Sequence, residues 1–341
     1  ALLSDQRVDV LALSELTCLV LPREHCKLLQ SKSIWMFDGR DEASSLMERI
    51  LHLVPIEVNL FRGITLPGAP RGRQIFGGQL IGQALAAASK TFGCLKFAHH
   101  VQAYFLRGGD YKVPTIFKVF QVHDGKDITT RRVEAIQEGK LAFLLVASFL
   151  KEADGLEHQE AVMPTVPSPD MLLSIEDVME KSSLEYHLSS DENKKKRLDP
   201  FPIDIRVCNP DILTRLSRPP PRLSYWFKSR EKLSDDPALH QCVVAYASDL
   251  IFIQVSTNPH QRGDYVIRTL SLNHTMWFHR TTRADEWILH VIDSPLAYDA
   301  RGICTSQMFN TKGELVASLV QEGLLRRDNT INTDTSIRAK F

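Results

Sequence analysis

The sequence predicts an α+β fold of two tandem units, each a buried helix wrapped by a curved antiparallel sheet. Three observations carry this. Two helical stretches, 76–92 and 235–254, are apolar over most of their circumference, which marks helices buried on all sides. Each is followed by four strand-like runs separated by turn signals, the pattern of an antiparallel meander. A stretch rich in Pro and charge, residues 152–221, divides the two sets.

Taken in order, VDVLALSELTCLVLPREHCKLL (residues 8–29) reads as two short strands and a helix entered at Pro22, a residue suited to the first helical position. Leu46, Met47, Ile50, Leu51 and Val54 then recur at helical spacing, so a short amphipathic helix is expected. A strand follows near 57–62, then the Gly/Pro-rich loop LPGAPRGR. In the first buried helix, FGGQLIGQALAAASKTF, small residues suggest close approach of a sheet. Its strands are HHVQAYFLRG, PTIFKVFQVHDG, ITTRRVEAIQEG and KLAFLLVASFLK, with turns at Gly108-Gly109, Asp124-Gly125 and Glu138-Gly139. The connector carries Pro164, Pro167, Pro169, a candidate helix SIEDVMEK and the run DENKKKR, read as a solvated face. The second unit repeats the order: RLSYWFKSREKL, the helix DDPALHQCVVAYASDLIFIQ, then TLSLNHTMWFHR, EWILHVIDSPLAYD, GICTSQMFNTKG and ELVASLVQEGLLR. Lys312-Gly313 stands where Glu138-Gly139 stands in the first unit.

Composition narrows the function. The 341 residues include 41 Lys+Arg and 41 Asp+Glu, so the net charge is zero. That argues against nucleic acid or an anionic membrane as the main partner. No apolar stretch reaches the roughly 20 residues that span a bilayer. The six cysteines form no CxxC pair and have no zinc spacing; they read as buried thiols in a reducing compartment. The first residue is Ala1, with no signal-peptide pattern, so the chain is expected to begin inside a longer polypeptide.

Three polar residues stand inside apolar runs: Asp249 in AYASDLIFI, Ser271 in LSLNHTMWFHR and Gln321 in LVQEGLLR. A buried polar group without a hydrogen bond costs about 1–3 kcal/mol. Each alone has a structural reading, a capping acid or a strand serine, but together an acid, a hydroxyl and an amide make a cradle for an attacking water. There is no GxSxG elbow for a serine nucleophile, and GGQLIG lacks the spacing of a dinucleotide site. His274 and His279 fall on opposite faces of one strand and read as structural, as do Cys242 and Cys304.

The motifs IFGGQLIGQALAAASKT, AYFLRGGD, TRRVEAIQEGK, SDDPALHQCVVAYASDL, LNHTMWFHR and LVASLVQEGLLR, spread over residues 46–326, resemble the type II acyl-CoA thioesterase family. The resemblance implies the double hotdog fold and hydrolysis of fatty acyl-CoA to fatty acid and CoA. It implies that Asp249, Ser271 and Gln321 are catalytic, and that no metal, cofactor or covalent acyl-enzyme takes part. The substrate partner is then an acyl-CoA, with homo-oligomerisation expected. Lys228, Arg230, Arg301 and Arg326 are candidates for the CoA phosphates. The chain departs from the family in carrying Asn273 where an Asp is usual, and Gln102 in place of a strand histidine, beside His99. Two other readings stay open: a hotdog hydratase, for which no Asp/His pair is found near Asp249, and an acyl-CoA-binding module without turnover.

The first residues resemble the closing strands of a cyclic-nucleotide-binding domain, as plant-type members carry, without its Gly-Glu and Arg phosphate cassette. The expected layout is a remnant of that domain at 1–36, the first hotdog unit at 37–155, a connector at 156–215, the second unit at 216–330 and a tail at 331–341. The final Ala339-Lys340-Phe341 resembles a peroxisomal tripeptide with Phe in the last position. Peroxisomal residence is the expectation, and a cytoplasmic one the alternative.

Overall fold

The computed structural model describes residues 44–66, 74–93, 95–178, 201–209, 219–260 and 266–328. The expected N-terminal remnant, the charge run at 191–197 and the C-terminal tripeptide lie outside them.

Helix α1, Leu46–Leu51, opens on a capping box in which Ser45 and Glu48 each hold the other's backbone N–H. Strands β1 (Val54–Glu57) and β2 (Leu60–Gly63) follow. Helix α2, Gly77–Ser89, is buried from Gly78 to Ala88. The first meander is β3 (Lys96–Phe105), β4 (Thr115–Asp124), β5 (Ile128–Gln137) and β6 (Lys140–Lys151). The second half holds β7 (Ile203–Val207), β8 (Arg222–Ser229) and helix α3 (Pro237–Ala247). It continues with β9 (Val266–Phe278), β10 (Ile288–Tyr298), β11 (Arg301–Asn310) and β12 (Leu315–Asp328). The turn pairs are where the sequence puts them. Glu138 and Gly139 both take positive φ, 50° and 71°, between β5 and β6, and Gly313 takes 79° between β11 and β12.

Among the described residues, twelve strands form one antiparallel sheet in the order β1-β2-β4-β5-β6-β3-β9-β12-β11-β10-β8-β7. The order reads as the same half-sheet from either end: β3 and β9 meet at the centre, β6 and β12 flank them, and β1 and β7 form the edges. This is the duplicated unit, closed by pairing of His100 with Trp277 through Tyr104 with Asn273. Side chains alternate across the pleat. Phe117, Val119, Val133, Ala135, Phe143, Leu145 and Ala147 are all buried inward, while Val146 and Trp277 lie outward.

Two details differ from the sequence reading. The glycines of α2 admit a helix rather than a sheet. A Cβ on Gly78 would lie 2.2 Å from the Tyr246 carbonyl oxygen, and one on Gly82 3.1 Å from that of Cys242. Helices α2 and α3 therefore cross antiparallel through a Gly78/Gly82 groove. Helix α3 is also shorter than its apolar run. It stops at Ala247, and the chain turns through Ile251 at φ 57° into a 3₁₀ segment, Ile253–His260. A β-branched residue rarely adopts that φ, and here the turn follows directly on Asp249.

Candidate active site

Asp249 stands two residues beyond the end of α3. Ser271 is on β9 and Gln321 on β12, strands that pair directly. The three side chains converge. Gln321 Nε2 donates to Asp249 Oδ1 at 2.9 Å and to Ser271 Oγ at 2.7 Å. Gln321 is fully buried and Asp249 is 8% exposed.

The fourth contributor comes from the other half of the chain. Helix α2 begins at Phe76, whose side chain makes no capping bond. An uncapped buried N-terminus leaves N–H groups without partners. The Gly78 N–H is instead taken by the carboxylate of Asp249. A Cβ on Gly77 would sit 2.5 Å from Asp249 Oδ2, so only glycine lets the carboxylate come this close. The positive end of the α2 dipole thus faces the acid. The sequence signal was a helix opening on Phe-Gly-Gly with no Ser, Thr, Asp or Asn to cap it; the partner, some 170 residues later, left no local trace.

Burial pushes the Asp249 carboxyl up from its ordinary 3.8 to about 7, against the bonds from Gln321 and Gly78 that favour the charged form. The acid can therefore exchange a proton near neutral pH. Deeper in the core, the imidazole of His274, on β9, is 3.0 Å from Ser248 Oγ, and that of His290, on β10, is 2.8 Å from both the Tyr225 hydroxyl and Ser306 Oγ. Burial lowers these imidazoles to about 4 and about 3, so both are neutral where Asp249 titrates. Cys304 and Cys242 are buried thiols pushed up, Cys304 to about 11, unsuited to nucleophilic attack. Among the described residues no group of three or more His, Cys, Asp or Glu could hold a metal ion, and no helix is long and apolar enough to cross a membrane.

The four basic candidates are dispersed. Lys228 lies over the Trp287 ring at 4.7 Å, Arg230 pairs with Glu176, and Arg301 reaches Glu322 at 3.0 Å. Arg326 stands opposite Arg268 on β9. Asn273 donates to the other oxygen of Glu322 at 3.1 Å. Asn273→Asp would set two carboxylates face to face. It is expected to lower stability by about 0.5–1 kcal/mol at pH 7 and low salt, an effect that shrinks as salt screens the two charges. Urea unfolding at low and high salt checks it, and an equal effect at both would contradict the charge argument.

The acyl-CoA thioesterase family matches residues 217–324, and the acyl-CoA thioesterase N-terminal domain family matches 66–150. Acyl-coenzyme A thioesterase 8 of Mus musculus is 36% identical over 84% of this chain and 90% of its own. The peroxisomal acyl-coenzyme A thioester hydrolase 1 of Saccharomyces cerevisiae is 26% identical over 88% of this chain and 98% of its own. Among solved structures, the acyl-CoA thioesterase II of Mycobacterium marinum superposes with a TM-score of 0.65 at 35% identity, covering 83% of this chain and 98% of that one. With the duplicated hotdog architecture and matches in both halves, the chain belongs to the type II acyl-CoA thioesterase family.

Proposed function

We propose that Asp249 is the general base of thioester hydrolysis, with Gln321 and Ser271 holding the attacking water beside it. The chain is a thioester hydrolase acting on acyl-CoA. The observation that carries the assignment is the single amide bridging a buried carboxylate and a hydroxyl, in front of a helix N-terminus. Water attacks the thioester carbonyl carbon while Asp249 takes its proton. The oxyanion develops toward the first turn of α2, where the dipole stabilises negative charge. Collapse breaks the C–S bond; CoA leaves as the thiolate and takes the proton back from Asp249. Holding water between three fixed groups removes much of the orientational entropy from the barrier.

Release of free thiol from a panel of acyl-CoAs tests this. Turnover should fall tenfold per pH unit below about 7, because the neutral carboxyl cannot accept a proton. Gln321→Leu should lower kcat on the order of 10²-fold or more, with little change in KM, since the bonds that tie Asp249 and Ser271 together are both lost. An unchanged kcat in that variant would remove Gln321 from the site.

Other features extend the proposal. Residues 1–36 are assigned as the closing end of a cyclic-nucleotide-binding domain, on the run VDVLALSELTCLVLPREHCKLL, with hotdog units at 37–155 and 216–330, a connector at 156–215 and a tail at 331–341. Homo-oligomerisation is supported by Val146, Trp277 and Val320, apolar side chains exposed on neighbouring central strands. Peroxisomal residence is supported by Ala339-Lys340 and by the name of the yeast relative. A fluorescent fusion that leaves this tail exposed and stays cytosolic would exclude it.

A further inference from the structure

The hydrolysis described above leaves two buried polar atoms unused. His274 Nδ1 and Gln321 Oε1 are both buried without a hydrogen-bond partner of ordinary geometry. They belong to residues directly opposite each other in the β9–β12 ladder, and the Gln321 amide is near enough to raise the basicity of the imidazole against its burial. An orphaned buried polar atom is costly, and two that face each other can satisfy one another if one is a donor.

The tautomer of His274 decides whether they do. Ser248 Oγ lies 3.0 Å from His274 Nε2 and 2.8 Å from the Ala245 carbonyl oxygen, so its proton can point to either. If the ring carries its proton on Nε2, it donates to Ser248. Then Nδ1 presents a lone pair to the lone pairs of Gln321 Oε1, an arrangement relieved only by turning the amide over and taking Nε2 away from Asp249. If the ring carries its proton on Nδ1, the Ser248 hydroxyl donates to His274 Nε2 and Nδ1–H donates to Gln321 Oε1. The amide then donates to Asp249 and Ser271, as it does here. Every donor in that chain points toward the carboxylate.

We infer that His274 is a positioning residue for the hydrolysis: held by Ser248 in its Nδ1–H tautomer, it fixes the Gln321 amide with its nitrogen toward Asp249. This rests on the role of Asp249 and Gln321 given above. The titratable groups facing this cluster are Tyr225 from β8, whose hydroxyl donates to the Leu250 carbonyl at 2.7 Å, His290 from β10, and Cys304 from β11, opposite Gln321. The Tyr225 phenol is held well above its usual range, the Cys304 thiol is pushed up to about 11 and His290 is held well below its usual range, so none of them changes charge as Asp249 titrates.

The direct test is the tautomer itself, read from long-range ¹H–¹⁵N correlation spectra of the chain labelled at histidine, near pH 8, with His274→Asn assigning the signals. A proton on Nδ1 is expected; a proton on Nε2 overturns the inference. Two variants test the consequence. His274→Phe keeps an aromatic ring packed against Phe252, which stands 5.7 Å from the imidazole, but has no donor. Its kcat should fall on the order of tenfold to a hundredfold with KM little changed. Its acid limb should move above the wild-type value of about 7, because the Gln321 bond that favours ionised Asp249 is weakened. His274→Asn replaces the Nδ1–H with an amide N–H and should restore both kcat and the limb. Equal losses in both variants without a shift of the limb would reduce His274 to packing. An active Asp249→Asn would instead remove the underlying assignment of the base, so the two failures are distinguishable.

Discussion

Asp249→Asn is expected to abolish turnover and to make the protein more stable above pH 7. The folded carboxyl titrates near 7 against an ordinary 3.8, so ionising it in the fold costs more than in the unfolded chain. Below about 3.8 both states hold the neutral acid and there is no cost. Between 3.8 and 7 the cost grows with pH, and above 7 it is fully present, about 4 kcal/mol. Asparagine keeps the shape and its one side-chain oxygen can still accept from Gln321, while it carries no charge to desolvate. Removing the base should lower kcat on the order of 10²–10⁴-fold. Stabilisation by a few kcal/mol at pH 8 that shrinks toward pH 4, measured by urea unfolding, is the matching thermodynamic signature. Equal or lower stability at pH 8 would mean that the carboxylate is not strained, and retained turnover would mean that it is not the base.

Gly78→Ala and Gly77→Ala, adjacent in sequence, are expected to fail in different ways. At position 78 the new methyl would lie 2.2 Å from the Tyr246 carbonyl oxygen and 2.5 Å from the Phe76 ring. A backbone oxygen inside α3 cannot move alone, so the two helices must separate. The loss should reach or exceed about 3 kcal/mol, the upper range for overpacked cores. At position 77 the methyl would lie 2.5 Å from Asp249 Oδ2 and 2.9 Å from Phe105. The carboxylate is the end of a side chain and can swing away, which separates it from Gln321. Gly77→Ala should therefore lower kcat on the order of 10²-fold with a smaller loss of stability. Gly93→Ala, where a Cβ meets nothing within 4 Å, is the control. Urea unfolding beside thiol release separates these outcomes. Equal stability losses at 77 and 78, with kcat retained at 77, would contradict the placement of Asp249 against α2.

Much of the fold was legible because it rests on local signals. Two helices apolar all round, strands of period two and the Glu138-Gly139 and Lys312-Gly313 turns suffice to read a duplicated helix-and-meander unit. Asp249, Ser271 and Gln321 were legible as polar residues in apolar runs, and the structure joins them through one amide. What was not legible depends on contacts between distant segments. The apolar run through Ile253 looked like one helix, yet it breaks at Ser248-Asp249, where the acid turns toward α2. The glycines of α2 gave no indication that Gly78 and Gly82 stand against α3. His274 read as structural because strand periodicity says which face a side chain takes, not which amide stands across from it.

The claim that water, held by Asp249, attacks the thioester directly is best tested by a single turnover of acyl-CoA with excess enzyme in oxygen-18 water. The account predicts one heavy oxygen in the fatty acid released in that first turnover and an unmodified Asp249 by mass spectrometry. Heavy oxygen left on Asp249, or a trapped acyl group on any side chain, would contradict it.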